Sequence, residues 1–210
     1  MTLKLKTNLN SIDMKINFKK TFFLLTFSMF FISCNNSNGS TCDPTNTDFQ
    51  QLIANAVASN PVGTYLDDVW MDLDTHQYNF SVTSAESICG FGYQSQGGFT
   101  GQYGIEIRDI TNSNVLYSNQ HSFSATATDY VQLPNPIQLT VGIEYAILRT
   151  VLNRQDLDDQ LGRGLRRQNG QSIPYPLSQG NLTILSSTFF GSGGPVNNIV
   201  VPYIDLVFEQ

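Results

Sequence analysis

Residues 78–82, YNFSV, and 103–108, YGIEIR, decide the fold. In both, a large apolar side chain returns at every second position: Tyr78, Phe80 and Val82, then Tyr103, Ile105 and Ile107. Asn79, Ser81, Glu106 and Arg108 fill the places between. Successive side chains of a pleated strand point to opposite faces, so this period of two describes strands with one dry face and one wet face. Outward from them, Val69 to Leu73, Cys89 to Tyr93, Val115 to Ser118, Ser122 to Thr126, Tyr130 to Leu133, Ile137 to Leu139, Leu182 to Ser187 and Tyr203 to Phe208 read as further strands. Cys89, Phe91 and Tyr93 share one predicted face, with Ile88, Gly90 and Gly92 on the other. Glu144 to Leu152 is apolar on both faces apart from Arg149, which suits a central strand. TNSN (111–114), LPNP (133–136) and TVG (140–142) supply turns of hairpin length. Many short strands joined this way predict an all-β, antiparallel sandwich of jelly-roll type.

Two segments break the pattern. In TDFQQLIANAVAS (47–59), Phe49, Leu52, Ile53, Ala56 and Val57 fall at helical spacing. Thr47 and Gln50 form a capping-box pair, and Asn60-Pro61 stops the helix. One short amphipathic helix is expected, covering an open end of the β-core. The other segment is 153–180, NRQDLDDQLGRGLRRQNGQSIPYPLSQG, which reads as one long connection. Connections beyond about 15 residues are uncommon unless they are functional or disordered. It holds Arg154, Arg163, Arg166, Arg167 and Tyr175, whose guanidinium forks and ring suit carboxylate, phosphate or sugar recognition. Asp156, Asp158 and Asp159 form an acidic cluster of the kind that takes calcium. The competing reading is a solvated loop with self-neutralising charges and a short helix over 156–161.

Ahead of the helix, Lys15, Lys19 and Lys20 precede an apolar run from Thr21 to Ser33. A transmembrane helix needs about 20 apolar residues, so this run has the length of a signal-peptide core. Phe31-Ile32-Ser33-Cys34 resembles the lipobox of bacterial lipoproteins, which implies cleavage before Cys34 and lipid on its thiol. Residues 1–33 are then the signal, 34–46 a small polar tether, and 47–210 the β-domain. That resemblance implies a cell-envelope protein held at the outer membrane by its lipid. An ordinary secreted protein cleaved near Ser33 is the other reading.

All five lysines precede Cys34, so the remainder keeps six arginines against sixteen acidic residues, a net charge of −10. Such a surface repels phosphate backbones and anionic headgroups, which argues against a nucleic-acid partner. With Cys34 lipidated, Cys42 and Cys89 remain as a pair for one disulfide in an oxidising compartment; free thiols or a metal site lack any CxxC or CxxH spacing.

The run Phe80-x-Val82, Ile88-x-Gly90-Phe91-Gly92-Tyr93, Tyr103-x-Ile105-x-Ile107, Val115-Leu116-Tyr117, Phe123, Tyr130-Val131, Pro136-Ile137-x-Leu139 and Gly142-x-x-Tyr145 resembles PHR-type β-sandwiches. It is also similar to β-sandwich domains of bacterial extracellular proteins. The likeness spans residues 78–150, rests on core and turn positions, and implies a binding role by analogy.

Catalytic motifs are weak. Gly90 to Ser95 approaches a GxGxxG fingerprint but leads into no helix, and Gly92 to Gly97 approaches a nucleophile elbow without strand–turn–helix context. His76 and His121 are expected at the surface near strand ends, with nothing in their spacing to unite them on a metal. Glu86, Glu106 and Glu144 nominate no glycosidase pair. The expected function is therefore a non-catalytic envelope module that binds a glycan or a protein, with no cofactor beyond calcium. The alternatives are a structural or assembly lipoprotein without a ligand pocket, and a hydrolase with unpaired acids. Met14 begins a complete signal by itself, so it is the expected start of translation; loss of that codon should abolish the protein on immunoblots, whereas loss of Met1 should not.

Overall fold

A computed structural model describes residues 41–58, 64–70, 73–154, 162–191 and 193–210. Cys34, Met14, Asp156, Asp158 and Asp159 lie outside the described residues, as does the helix considered over 156–161. The fold is all-β, with one helix among the described residues, α1 (Asp48–Ala58), ahead of the strands.

Thirteen strands follow among the described residues: β1 (Tyr65–Val69), β2 (Thr75–Val82), β3 (Glu86–Tyr93), β4 (Tyr103–Asp109), β5 (Asn114–His121), β6 (Asp129–Leu139) and β7 (Tyr145–Val151). They continue with β8 (Arg163–Arg167), β9 (Leu177–Gln179), β10 (Leu182–Phe190), β11 (Val196–Asn197), β12 (Val200–Pro202) and β13 (Asp205–Phe208). The largest sheet runs β11-β10-β2-β7-β4-β5, with β9 also paired to β10. A second sheet runs β13-β3-β6 and a third β1-β8-β12, and every pairing is antiparallel.

The period-two residues fill the core as expected. Tyr78, Phe80, Tyr103, Ile105, Ile107 and Ile147 of the large sheet pack in one cluster with Ile88, Phe91, Tyr93 and Leu206 of the second. Each such side chain contributes about 1.5–3 kcal/mol by leaving water. Helix α1 adds Phe49, Leu52 and Ile53 to that cluster, and the Phe49 ring sits 5.7 Å from Tyr78 and 5.2 Å from Tyr203.

Several sequence expectations are corrected. Ser122 to Thr126 is a turn, because Asp129 accepts the Ser124 N–H and the Ser124 hydroxyl accepts the Thr126 N–H. The two runs on either side of LPNP form one strand, β6. Segment 153–180 is not one connection: it contains β8 and β9, and β8 is the central strand of the third sheet. His76 is buried inside β2. On β3, Cys89 is an extra residue against β13, which steps directly from Gly90 to Ile88, while the register with β6 jumps from Gln132 to Ile137 between the same two residues. This bulge restarts the alternation, so Ile88 joins Phe91 and Tyr93 in the core, not Gly90's face.

At the bulge, Cys89 is bonded to Cys42 across a separation of 47 residues. A loop of that length restricts the unfolded chain by roughly 4 kcal/mol on the chain-entropy model. Beside it the Thr41 N–H donates to the Gln210 carbonyl at 3.2 Å and the Gln210 N–H returns to Thr41 at 3.1 Å.

The helix start is fixed by a buried acid. Thr47 Oγ1 accepts the Gln50 N–H at 3.1 Å and donates to Asp205 Oδ1 at 2.6 Å. Gln50 Nε2 and the Tyr130 hydroxyl donate to Asp205 Oδ2 at 2.9 and 2.7 Å. The capping box is thereby modified, for Gln50 Oε1 accepts from Asn46 N–H. Asp205 is fully buried, and burial raises its pKa against the pull of these donors. Asp205→Asn keeps the shape but turns one oxygen into a donor facing other donors. We expect it to lower unfolding stability by about 1–3 kcal/mol in urea titrations, whereas the exposed change Asn169→Asp should not.

Candidate functional site

The second sheet covers one face of the large sheet and leaves the other to solvent. Strand register sets what that outer face displays. Thr188, Gln77, Leu148, Glu106 and Ser118 form one cross-strand row, and Thr75, Thr150, Gly104 and Gln120 form the next. The Thr75 and Thr150 hydroxyls are 2.9 Å apart, and Gln77 Nε2 donates to Asn79 Oδ1 at 2.7 Å. Gly104 leaves a low place in the second row, over which a groove of about 650 Å³ opens between Gln102, Glu106, Ser118, Gln120, Thr150 and Leu152.

Glu106 is the one carboxylate lining this groove. Arg108 grips it with two bonds, Nε to Oε1 at 2.9 Å and Nη2 to Oε2 at 2.7 Å. The same bonds raise the Arg108 pKa. This two-bond grip offsets the carboxylate charge with the Arg108 guanidinium. Glu144 instead accepts Asn79 Nδ2 at 2.7 Å, and Glu86 accepts the Ser84 hydroxyl and the Asn181 amide. The three glutamates singled out from sequence are not brought together.

Three of the four arginines expected to contact a ligand, Arg154, Arg163 and Arg166, are held by the protein's own acids. Arg163 makes a two-bond pair with Asp67 at 2.8 and 2.6 Å and lies 3.8 Å from the centre of the Tyr203 ring. Arg166 pairs with Asp68 at 3.0 and 2.9 Å and lies 5.2 Å from the Trp70 ring. In register Asp67 opposes Leu165 and Asp68 opposes Gly164, so both pairs are diagonal and sit on opposite faces of the third sheet. Arg154 bonds Asp74 at 3.1 Å, and Arg167 reaches the Ser172 carbonyl. Tyr175 packs against the core with its hydroxyl enclosed, and burial pushes its pKa well up.

A second polar centre is internal. Arg149 is fully buried and His76 is 2% exposed. Arg149 Nη2 donates to His76 Nδ1 at 2.6 Å, and Nη1 donates to the Asp74 carbonyl at 3.2 Å. Its guanidinium carbon is 5.4 and 5.5 Å from the centres of the Tyr93 and Tyr103 rings. Burial, then the adjacent guanidinium charge, holds the His76 pKa well below its ordinary value, so the ring is a neutral acceptor. Burial pushes Tyr93 up to about 12. His121, meanwhile, meets the Tyr117 hydroxyl at 2.6 Å. Among the described residues no group of three or more His, Cys, Asp or Glu side chains is placed to hold a metal ion. No described helix is long and apolar enough to cross a membrane.

A scan against protein-family models and a search of curated proteins find no match for this chain. Geometry therefore carries the functional reading. The groove leaves no mark in the sequence, because Gln102, Gly104, Gln120 and Thr150 are ordinary outer-face residues until register aligns them. The internal centre had a signal: Arg149 was the one charge in an apolar strand.

Arg163→Ala and Arg166→Ala should each lower stability by about 0.5–1.5 kcal/mol in chemical denaturation, since both pairs are partly exposed. Asp67→Ala in the Arg163→Ala background should then add little, which a double-mutant cycle measures.

Proposed function

We propose that the chain is a lipid-anchored envelope module that binds a neutral, hydroxyl-rich ligand, a glycan, in the groove over β4, β5 and β7. The observation that carries this reading is the chemistry of the groove lining. It offers amides and hydroxyls that both donate and accept, while its single acid is neutralised by Arg108. Sugars present the matching alternation of donors and acceptors. The groove holds no aromatic side chain, so affinity comes from hydrogen bonding over one or a few sugar rings rather than from stacking. In this reading the groove binds without turning its ligand over, and Glu106 is the single acid of its lining. Attachment through Cys34 rests on the lipobox resemblance, and the Ser-, Asn- and Gly-rich tether after it gives the domain reach from the membrane.

The decisive variant fills the low point of the groove. A Cβ at position 104 would meet Leu152 Cδ2 at 3.5 Å and the Thr150 carbonyl at 3.9 Å, both ordinary contacts. Gly104→Leu should therefore leave the melting transition nearly unchanged and weaken glycan binding, read by array and calorimetry, by at least about tenfold. Arg166→Ala should leave binding intact, and Cys34→Ser should move the protein from the membrane to the soluble fraction. Glycan binding that survives Gly104→Leu, or turnover of the bound glycan, would overturn the reading.

A further inference from the structure

We infer that the hollow above Gly104 takes the acetamido group of an N-acetylated sugar, which makes such a sugar the preferred ligand of the groove. The inference rests on the groove being a glycan site. Gly104 stands on β4 between Thr150 of β7 and Gln120 of β5. Neighbouring strands lie about 4.8 Å apart, so the absent side chain leaves a gap one side chain wide. Such a gap is too narrow for a pyranose ring and admits a substituent of a few heavy atoms.

The two walls of the hollow differ in chemistry. Residues two apart share a strand face, so Leu148, Thr150 and Leu152 border it together on the β7 side. Leu152 is 47% exposed, and its Cδ2 would lie 3.5 Å from a Cβ placed at position 104. The Thr150 hydroxyl is engaged by Thr75 on β2, the strand away from Gly104. This wall is chiefly apolar. On the β5 side stand Ser118 and Gln120, with Gln102 at one end of the hollow, all three exposed. Their amides and hydroxyl both donate and accept.

A substituent matched to both walls needs a methyl on one side and a donor with an acceptor on the other. An acetamido group turns its methyl to Leu148 and Leu152, and its N–H and C=O to the glutamine amides and the Ser118 hydroxyl. A hydroxymethyl group sets a polar atom against the leucine wall, and the bare methyl of a 6-deoxy sugar leaves the amides unmatched. The surplus of acids beyond Cys34 disfavours a sugar carboxylate.

Chitotetraose and cellotetraose share a β-1,4-linked backbone and differ at carbon 2, where the first carries acetamido and the second hydroxyl. Calorimetry on the full-length protein should give at least about tenfold tighter binding of chitotetraose. Leu152 is exposed, so Leu152→Asn should keep the melting transition while making the apolar wall polar. The preference for chitotetraose should then fall below about threefold. Equal affinity for the two tetramers, or tighter binding of a 6-deoxy glycan, overturns the inference and leaves the groove reading standing. A preference indifferent to Leu152→Asn also overturns it, because the acetamido group is then read elsewhere. Failure to bind any glycan overturns the groove reading and this inference together.

Discussion

One buried carboxylate ties the separate parts of the chain together. Asp205 stands at the start of the last strand, yet its oxygens collect Thr47 and Gln50 from the helix start and Tyr130 from β6. Gln50 also donates to the Pro44 carbonyl and to the Tyr130 hydroxyl, so the turn entering the helix belongs to the same network. A carboxylate removed from water needs every lone pair engaged, and several donors converge on this one. Apolar packing alone would let α1 slide over the end of the sandwich; directional bonds to Asp205 fix its place. The Tyr130 ring, held there, lies across Gly92, where a Cβ would come within 2.4 Å of the ring. That close approach explains why glycine interrupts an aromatic strand.

The architecture was legible where one physical rule acted alone. Alternation located β2 and β4, each with one buried face, a run apolar on both faces located β7, and helical spacing located α1. Legibility failed where a second rule intervened. At Cys89 one extra residue reset the alternation. At Ser122 to Thr126 local side-chain bonds to the backbone outcompeted the ladder. Strand β8 was hidden because Arg163, Arg166 and Arg167 look like loop residues, and the diagonal partners of the first two, Asp67 and Asp68, lie nearly a hundred residues earlier.

The candidate site divides in the same way. Arginines and a tyrosine attract attention because of what their side chains are able to do, whereas the structure places those side chains against internal partners or the core. The groove residues attract none, since glutamine, serine and threonine on a wet strand face are commonplace. Their meaning comes from register, which sets Gly104 between Thr150 and Gln120 and so opens a hollow that no single strand encodes.

The disulfide and the Thr41–Gln210 pairing give the domain a mechanical character. Tension reaching the chain from residues before Thr41 meets two backbone bonds and then the covalent link from Cys42 to Cys89. Cys89 lies on the central strand of the β13-β3-β6 sheet, so the pull is delivered to the middle of a hydrogen-bonded layer. Helix α1, which follows the cysteine in sequence, is bypassed and bears no strain. Under traction the helix is thus shielded by a bond that chain tension alone does not readily part.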